Sequence, residues 1–279
     1  MATSSAQDVL INGKRDAALS PLDRGLAYGD GVFRTMLVRK GIPCVWDLHY
    51  KKLVDDCNAL GIVCPSGDQL MGDIDKLFSK KEDAVVKIII TRGESIRGYA
   101  LPPLAQPSRI VMRSTMPAYP ASYISEGVKL HLCDLKLSHQ PLLAGIKHLN
   151  RLENVLARTE WQDATIADGL MLDIKGLVIE TTASNLFARY DQLLVTPDLS
   201  QCGVAGVTRQ RIIDQASSLG FEVKIADIAL SELMQADEII TCNSLYGTWQ
   251  VRELNHHIWP KQYLANQLRQ FLQVTDALN

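Results

Sequence analysis

Apolar and polar positions along this chain alternate between strand-like runs and helical stripes. Ala84-Val85-Val86-Lys87-Ile88-Ile89-Ile90-Thr91 is dominated by β-branched residues and predicts a strand. Residues 32–38 predict another, turned back by Lys40-Gly41 into 42–46, and 109–115 a third. Between them Tyr50, Leu53, Val54, Cys57 and Leu60 recur at helical spacing, with Asp47 as the expected N-cap and Gly61 as the stop. Pro117 and Pro120, set among small residues in Met116-Pro117-Ala118-Tyr119-Pro120-Ala121-Ser122, interrupt the pattern. The expected organisation is therefore a small α+β domain over 1–116, a linker over 117–122 and a larger domain over 123–279. In that larger domain the pattern predicts strands over 127–135, 170–173, 177–181, 193–196, 221–226 and 236–242. A helix is expected from about 151 to 166, a second through Ile213 and Ala216, and a short third capped by Ser231. A closing amphipathic helix follows Trp259 and carries Tyr263, Leu264, Leu268 and Leu272.

Composition narrows the class. The chain has 279 residues, 47% hydrophobic and 22% charged, with a net charge of −2. That supports a sizeable core and gives no reason to expect nucleic acid or an anionic membrane as partner. No apolar run approaches the ~20 residues that a membrane-spanning helix needs. The first seven residues lack the basic end and apolar core of a signal peptide. Six scattered cysteines without a Cys-x-x-Cys pair read as reduced thiols of a cytoplasmic protein. The histidines show no metal-ligand spacing, so no metal is expected.

Several stretches carry candidate chemistry. Lys147 lies in Leu143-Ala144-Gly145-Ile146-Lys147-His148-Leu149-Asn150-Arg151-Leu152-Glu153, between a small flexible run and the spacing Leu149, Leu152, Val155, Leu156. Burial disfavours an ammonium, and a neutral amine can form a Schiff base or act as a base. A lysine whose head reaches water is the plainer alternative. Glu180 sits in a strand among apolar residues, where a carboxylate is costly without a partner; an edge glutamate facing water is the alternative. Gly203-Val204-Ala205-Gly206-Val207-Thr208 is a glycine turn opening a helix, which presents N–H groups to an anion. Arg97 and Tyr99, two apart after Gly93, suit a carboxylate clamp or a surface ion pair.

These stretches together resemble the fold-type IV pyridoxal-phosphate enzymes, the family of branched-chain aminotransferases, D-amino-acid transaminases and aminodeoxychorismate lyases. Gly145-Ile146-Lys147-His148-Leu149-Asn150-Arg151-Leu152-Glu153 is similar to the family's cofactor-lysine segment, most of all to its lyase branch. Asp23-Arg24-Gly25-Leu26-Ala27-Tyr28-Gly29-Asp30-Gly31-Val32-Phe33 and Glu180 with Asn185-Leu186-Phe187 resemble two further signatures. The resemblance implies a D-amino-acid-aminotransferase-like α+β fold whose larger domain holds a barrel-like sheet. It implies pyridoxal 5'-phosphate bound through Lys147, with Glu180 at the ring nitrogen. Ser184, Asn185, Val207, Thr208 and Ser244 would be further cofactor contacts, and Arg97 with Tyr99 would hold a substrate carboxylate. Thr35 is implied beside Lys147 in catalysis, although a strand threonine can equally be a cross-sheet partner. Where the family carries a phosphate-gripping arginine this chain has Lys52, a point charge without the planar fork. The implied activity is elimination from 4-amino-4-deoxychorismate, giving 4-aminobenzoate and pyruvate for folate synthesis, by a homodimer. The alternative is an aminotransferase for D-amino or branched-chain amino acids.

Overall fold

The computed structural model describes residues 8–79, 83–101, 103 and 105–278. They form two units, 8–117 with Ile146–Asn150, and 118–145 with 151–278. The segment bearing Lys147 thus belongs to the first unit, whereas the sequence pattern assigns it to the second.

The first unit comprises β1 (Val9–Ile11), α1 (Arg24–Tyr28), β2 (Gly31–Arg39), β3 (Ile42–Pro43), α2 (Trp46–Ala59), α3 (Gly67–Leu77), β4 (Ala84–Thr91) and β5 (Ser108–Ser114). Its strands form one antiparallel sheet in the order β1-β5-β4-β2-β3. Side chains alternate across a strand, and β2 obeys this. Val32, Arg34, Met36 and Val38 are buried, while Phe33, Thr35 and Leu37 are half-buried. The buried face joins Leu53 and Cys57 of α2 and Leu70, Ile74 and Leu77 of α3 in one core. The sequence pattern leaves α3 unread, yet a start signal was present. Ser66 Oγ accepts from Gln69 N–H and Gln69 Oε1 from Ser66 N–H, both at 3.2 Å, a reciprocal capping box. Asp47 does not cap α2. Val45, at φ 54°, precedes the helix, and Asp47 lies in its first turn, where its charge still complements the helix dipole.

The second unit holds α4 (Ser122–Ser125), β6 (Val128–Leu137), α5 (Leu152–Arg158), β7 (Ile166–Asp173), β8 (Val178–Thr181), β9 (Asn185–Tyr190) and β10 (Leu193–Pro197). These are followed by α6 (Val207–Gln215), β11 (Glu222–Ala226), α7 (Leu230–Leu233), β12 (Glu238–Asn243), β13 (Gly247–Leu254), β14 (His257–Ile258) and α8 (Leu264–Leu278). The nine strands make a mixed sheet in the order β11-β10-β9-β12-β13-β6-β7-β8, with β14 on β13. β8, last in that order, contacts β9 and β10 near its other end, so the sheet curls on itself. The helix expected over 151–166 is shorter. Asp163 Oδ1 accepts from Thr165 N–H at 2.9 Å and from its hydroxyl at 2.7 Å, an Asx turn that stops the helical path and starts β7 at Ile166. Ser231 lies inside α7, whose start is held by Glu232 accepting Ala229 N–H at 2.9 Å. α8 begins only at Leu264, and Trp259 instead buries its ring and donates to Ala236 O. Among the described residues no helix is long and apolar enough to cross a membrane.

Candidate active site

In the first unit Lys147 is fixed through its backbone. Phe33 N–H donates to Lys147 O at 2.9 Å and Leu149 N–H to Gly31 O at 3.0 Å. A bridge between Val32 and His148 completes this short antiparallel pairing with β2. The Lys147 side chain is half-buried, with Nζ 4.7 Å from the centre of the Phe33 ring. Thr35 lies two residues further along β2, on the same strand face as Phe33. The Lys147 N–H also donates to Asp56 Oδ2 at 3.2 Å.

Asp56 sits on α2, four residues beyond Lys52, and is 1% exposed. Its carboxylate accepts from Arg34 Nη2 and from Lys52 Nζ. Burial pulls the Lys52 ammonium below the usual lysine range, and the Asp56 charge opposes this. Burial likewise lowers Arg34, again against the pull of Asp56. Arg34 Nε is buried and has no hydrogen-bond partner among the described residues.

A second ionic knot holds the loop after β4. Arg24 Nε and Arg92 Nε each donate to Asp30 Oδ2 at 2.8 Å. Arg24 also reaches Gly98 O at 3.0 Å, Tyr99 O at 3.3 Å and Ala100 O at 3.4 Å, so it grips the main chain on which Arg97 and Tyr99 stand. Tyr99 is 84% exposed, and its ring centre lies 5.3 Å from that of Tyr28. Arg97 is exposed and makes no ion pair among the described residues. Burial pushes the Asp30 carboxyl up, but hydrogen bonds and charge from Arg92 and Arg24 outweigh it and hold it below the usual range. Buried Asp23 accepts from Gly25 N–H, Thr91 Oγ1 and Ser108 Oγ at 2.7 to 2.8 Å.

In the second unit Glu180 is 3% exposed on β8 and accepts Val204 N–H at 2.9 Å. It is not an edge glutamate facing water. Asn185 Nδ2 donates to Val204 O at 2.7 Å, and its Oδ1 accepts Gly206 N–H at 3.0 Å, stapling the glycine turn. A Cβ on Gly206 would sit 2.3 Å from Asn185 Oδ1, so this position needs glycine. The turn opens α6, whose N-cap Gly206 offers no side-chain acceptor. Val207 and Thr208 form its first turn, and Thr208 Oγ1 is 3.3 Å from Ser244 Oγ. Uncapped N–H groups beside two hydroxyls form a donor set suited to a phosphate. Arg209 Nε and Nη2 tie the helix to Thr196 Oγ1 and Pro197 O at 3.0 and 2.9 Å.

Ser184 stands apart from that donor set. Its Oγ accepts from Tyr246 at 2.5 Å and lies 3.4 Å from Asp168 Oδ2. Asp168 also accepts from Thr181 and Thr182 hydroxyls at 2.6 and 2.5 Å, which fixes the turn between Glu180 and Asn185. Burial pushes the Asp168 carboxyl up despite these bonds. Neither Asp168 nor Tyr246 carried a sequence signal, since their partners are distant in the chain. Asp56 did carry one, its i,i+4 spacing from Lys52. Among the described residues no cluster of His, Cys, Asp and Glu could hold a metal.

Residues 31–254 match the family model for amino-transferase class IV. The chain belongs to that family. Within it, this chain is 37% identical over 237 residues to an aminodeoxychorismate lyase of Vibrio harveyi, covering 85% of this chain and 88% of the relative. The crystal structure of 4-amino-4-deoxychorismate lyase from Pseudomonas aeruginosa superposes with a TM-score of 0.91 at 45% identity, covering 95% of this chain and 98% of that one. The branched-chain amino acid aminotransferase of Escherichia coli shares the fold, with a TM-score of 0.83 at 22% identity over 97% of this chain and 95% of that one.

Proposed function

We infer that this chain is a pyridoxal-phosphate-dependent lyase that cleaves 4-amino-4-deoxychorismate to 4-aminobenzoate and pyruvate, a step in folate synthesis. The observation that carries the reading is Lys147, locked by its main chain to β2 and half-buried beside the Phe33 ring, in a chain whose similar proteins include two lyases. When bound, the cofactor supplies an aldehyde for amines and a ring that accepts electrons.

The chain's own residues would divide the remaining work. Lys147 would hold the cofactor and then, released by the substrate amine, take the proton from the amine-bearing carbon of the substrate. As the bond from ring to enolpyruvyl oxygen breaks, the ring becomes aromatic and the proton is returned to the leaving enol, so 4-aminobenzoate and pyruvate account for every atom. Thr35, on β2 two residues beyond Phe33, would assist that return. Glu180, shielded from water and fixed by Val204 N–H, would keep a proton on the cofactor ring nitrogen. Asn185 serves the same turn. Thr208, Ser244 and the N–H groups of Val207 and Thr208 would hold the phosphate, with Lys52 as a point charge and Ser184 bracing the turn behind Glu180. Arg97 and Tyr99, on the loop gripped by Arg24, would orient a substrate carboxylate.

The reading includes a homodimer in the cytoplasm. Leu152, Val155 and Leu156 expose one apolar stripe of α5, with Leu152 at 74%, a surface suited to burial against a second copy. Cys57, Cys64, Cys133, Cys202 and Cys242 are free thiols, in keeping with a reducing compartment. Purified protein with added pyridoxal phosphate should release 4-aminobenzoate and pyruvate in equal amounts from 4-amino-4-deoxychorismate. Amino-group transfer to 2-oxoglutarate without that release would replace the lyase reading with an aminotransferase.

A further inference from the structure

Asp56 and Arg34, which join Lys52 in a buried charge cluster behind Lys147, have no role in the reaction as just described. Asp56 receives three donors: Arg34 from β2, Lys52 from its own helix and the main-chain N–H of Lys147. Two cations share one carboxylate, so the cluster retains one net positive charge, the amount that a lone arginine would bring. The shared carboxylate ties residue 52 to residue 147 across 95 positions of sequence. A surface ion pair would not do this, because an exposed carboxylate is free to leave its partners. Asp56 cannot leave, since a buried charge deprived of its partners is costly.

We propose that Asp56 is a positioning residue that fixes the Lys147 main chain and the Lys52 ammonium at once, so that the reactive amine and the phosphate-facing cation are set by a single group. The inference rests on the reading of Lys147 and Lys52 as cofactor contacts. It explains how lysine can stand at position 52. A flexible point charge becomes directional once Asp56 restrains it, and the lost fork of an arginine is replaced by restraint from the helix. It also gives Arg34 a function, which is to hold Asp56 Oδ2, the same oxygen that accepts the Lys147 N–H, while Lys52 takes Oδ1.

Three variants test this in the full chain: Asp56→Asn, Asp56→Ala and the double change Arg34→Met with Asp56→Asn. The last removes the buried pair as a unit and guards against a variant that fails to fold. Two readouts are taken, the dissociation constant for pyridoxal phosphate and the pH midpoint of the absorbance of the protein-bound cofactor. Loss of a nearby carboxylate disfavours a protonated nitrogen on Lys147, so the midpoint moves to lower pH in Asp56→Asn and Asp56→Ala; in the double variant the lost Arg34 charge offsets the lost carboxylate and the midpoint moves less. Affinity should fall by about tenfold or more in Asp56→Ala, which also loses the acceptor for the Lys147 N–H, and by less in Asp56→Asn. An unmoved midpoint in the single Asp56 variants overturns the proposal, even where affinity falls, since a scaffold role alone would weaken binding without touching the Lys147 nitrogen. The parent protein separates the two ideas. Borohydride should fix pyridoxal phosphate on Lys147, located by peptide mass. No such label sinks the functional reading and this inference together; a label with unmoved variants sinks the inference alone.

Discussion

Lys147 in the first unit and Glu180 in the second are both held through main-chain contacts, yet the groups that secure them differ in kind. Around Lys147 the fixing groups are ions: Asp56 with Arg34 and Lys52, and Asp30 with Arg24 and Arg92 for the loop of Arg97. Around Glu180 they are amides and hydroxyls: Val204 N–H, the Asn185 side chain, and the Thr181, Thr182 and Ser184 hydroxyls on Asp168. Ionic clusters tolerate little loss of charge but respond to pH. The Asn185 staple has no proton to exchange and fails when its shape is lost, although burial raises the Asp168 carboxyl behind the same turn. The two units should therefore break differently.

The largest effects remove the reactive groups themselves. Lys147→Ala should lower 4-aminobenzoate release by on the order of 10³-fold or more, because it removes the amine that would both hold the cofactor and move the proton. A variant retaining a tenth of parental turnover would remove Lys147 from the centre of the scheme. Glu180→Gln keeps an oxygen to accept Val204 N–H but carries no charge. Its loss should be about 10²- to 10³-fold in turnover with little change in melting temperature. Parental turnover in this variant would mean that Glu180 serves only the fold of its turn.

Next come the ionic knots. Asp30→Asn leaves two buried arginines without their shared anion, at a cost of about 3–5 kcal/mol of stability at neutral pH. The sign with pH follows from the lowered Asp30 carboxyl. Its folded pKa lies below the unfolded value of about 3.9, so its stabilisation is complete above that value and is lost as pH falls through the folded one. Urea melts at neutral pH and at pH 3 should show the parent losing stability on acidification and the Asn variant losing less. Equal slopes would show that Asp30 contributes no proton linkage.

How much of this comparison could be seen in the chain itself follows from the range of the contacts. β4 coincides with its Val/Ile run, because a buried strand advertises itself locally. Glu180 stood out as a carboxylate among apolar residues. β13 gave no such signal. Thr248 and Gln250 are buried polar residues, and the segment becomes a strand through its backbone pairing with β12 and β6, the latter more than a hundred residues earlier. The placement of Lys147 on β2 was hidden for the same reason. It depends on hydrogen bonds from Phe33 and to Gly31, more than a hundred residues earlier. The glycine turn before α6 was legible as a turn opening a helix, but not that Asn185 staples it, since a side-chain amide shows no partner in sequence.

The neutral half should fail gently. Asn185→Ala orphans Gly206 N–H and Val204 C=O and opens the packed space beside the Gly206 backbone. This should cost about 1–3 kcal/mol in a thermal melt, unchanged between pH 5 and pH 8. A cost that varied across that window would place a titrating group in the staple and blur the contrast with Asp30.

The smallest effect is the one that joins the halves of the argument. Lys52→Arg restores a forked donor at the position where the family carries arginine. Added alone, a further hydrogen bond to phosphate would tighten cofactor binding by about two- to tenfold. Asp56 stands four residues away on the same helix, however, and already engages the residue at 52. A guanidinium there has two competing acceptors, and the buried carboxylate holds the stronger claim because leaving it unpaired is costly. The expected gain in cofactor affinity is therefore at the low end, about twofold, and should rise when Asp56→Asn is added. Equilibrium dialysis on the single and double variants measures both. A full tenfold gain from Lys52→Arg alone would show that Asp56 does not restrain position 52, and the ionic half of the comparison would then reduce to the pairing of Asp56 with Arg34.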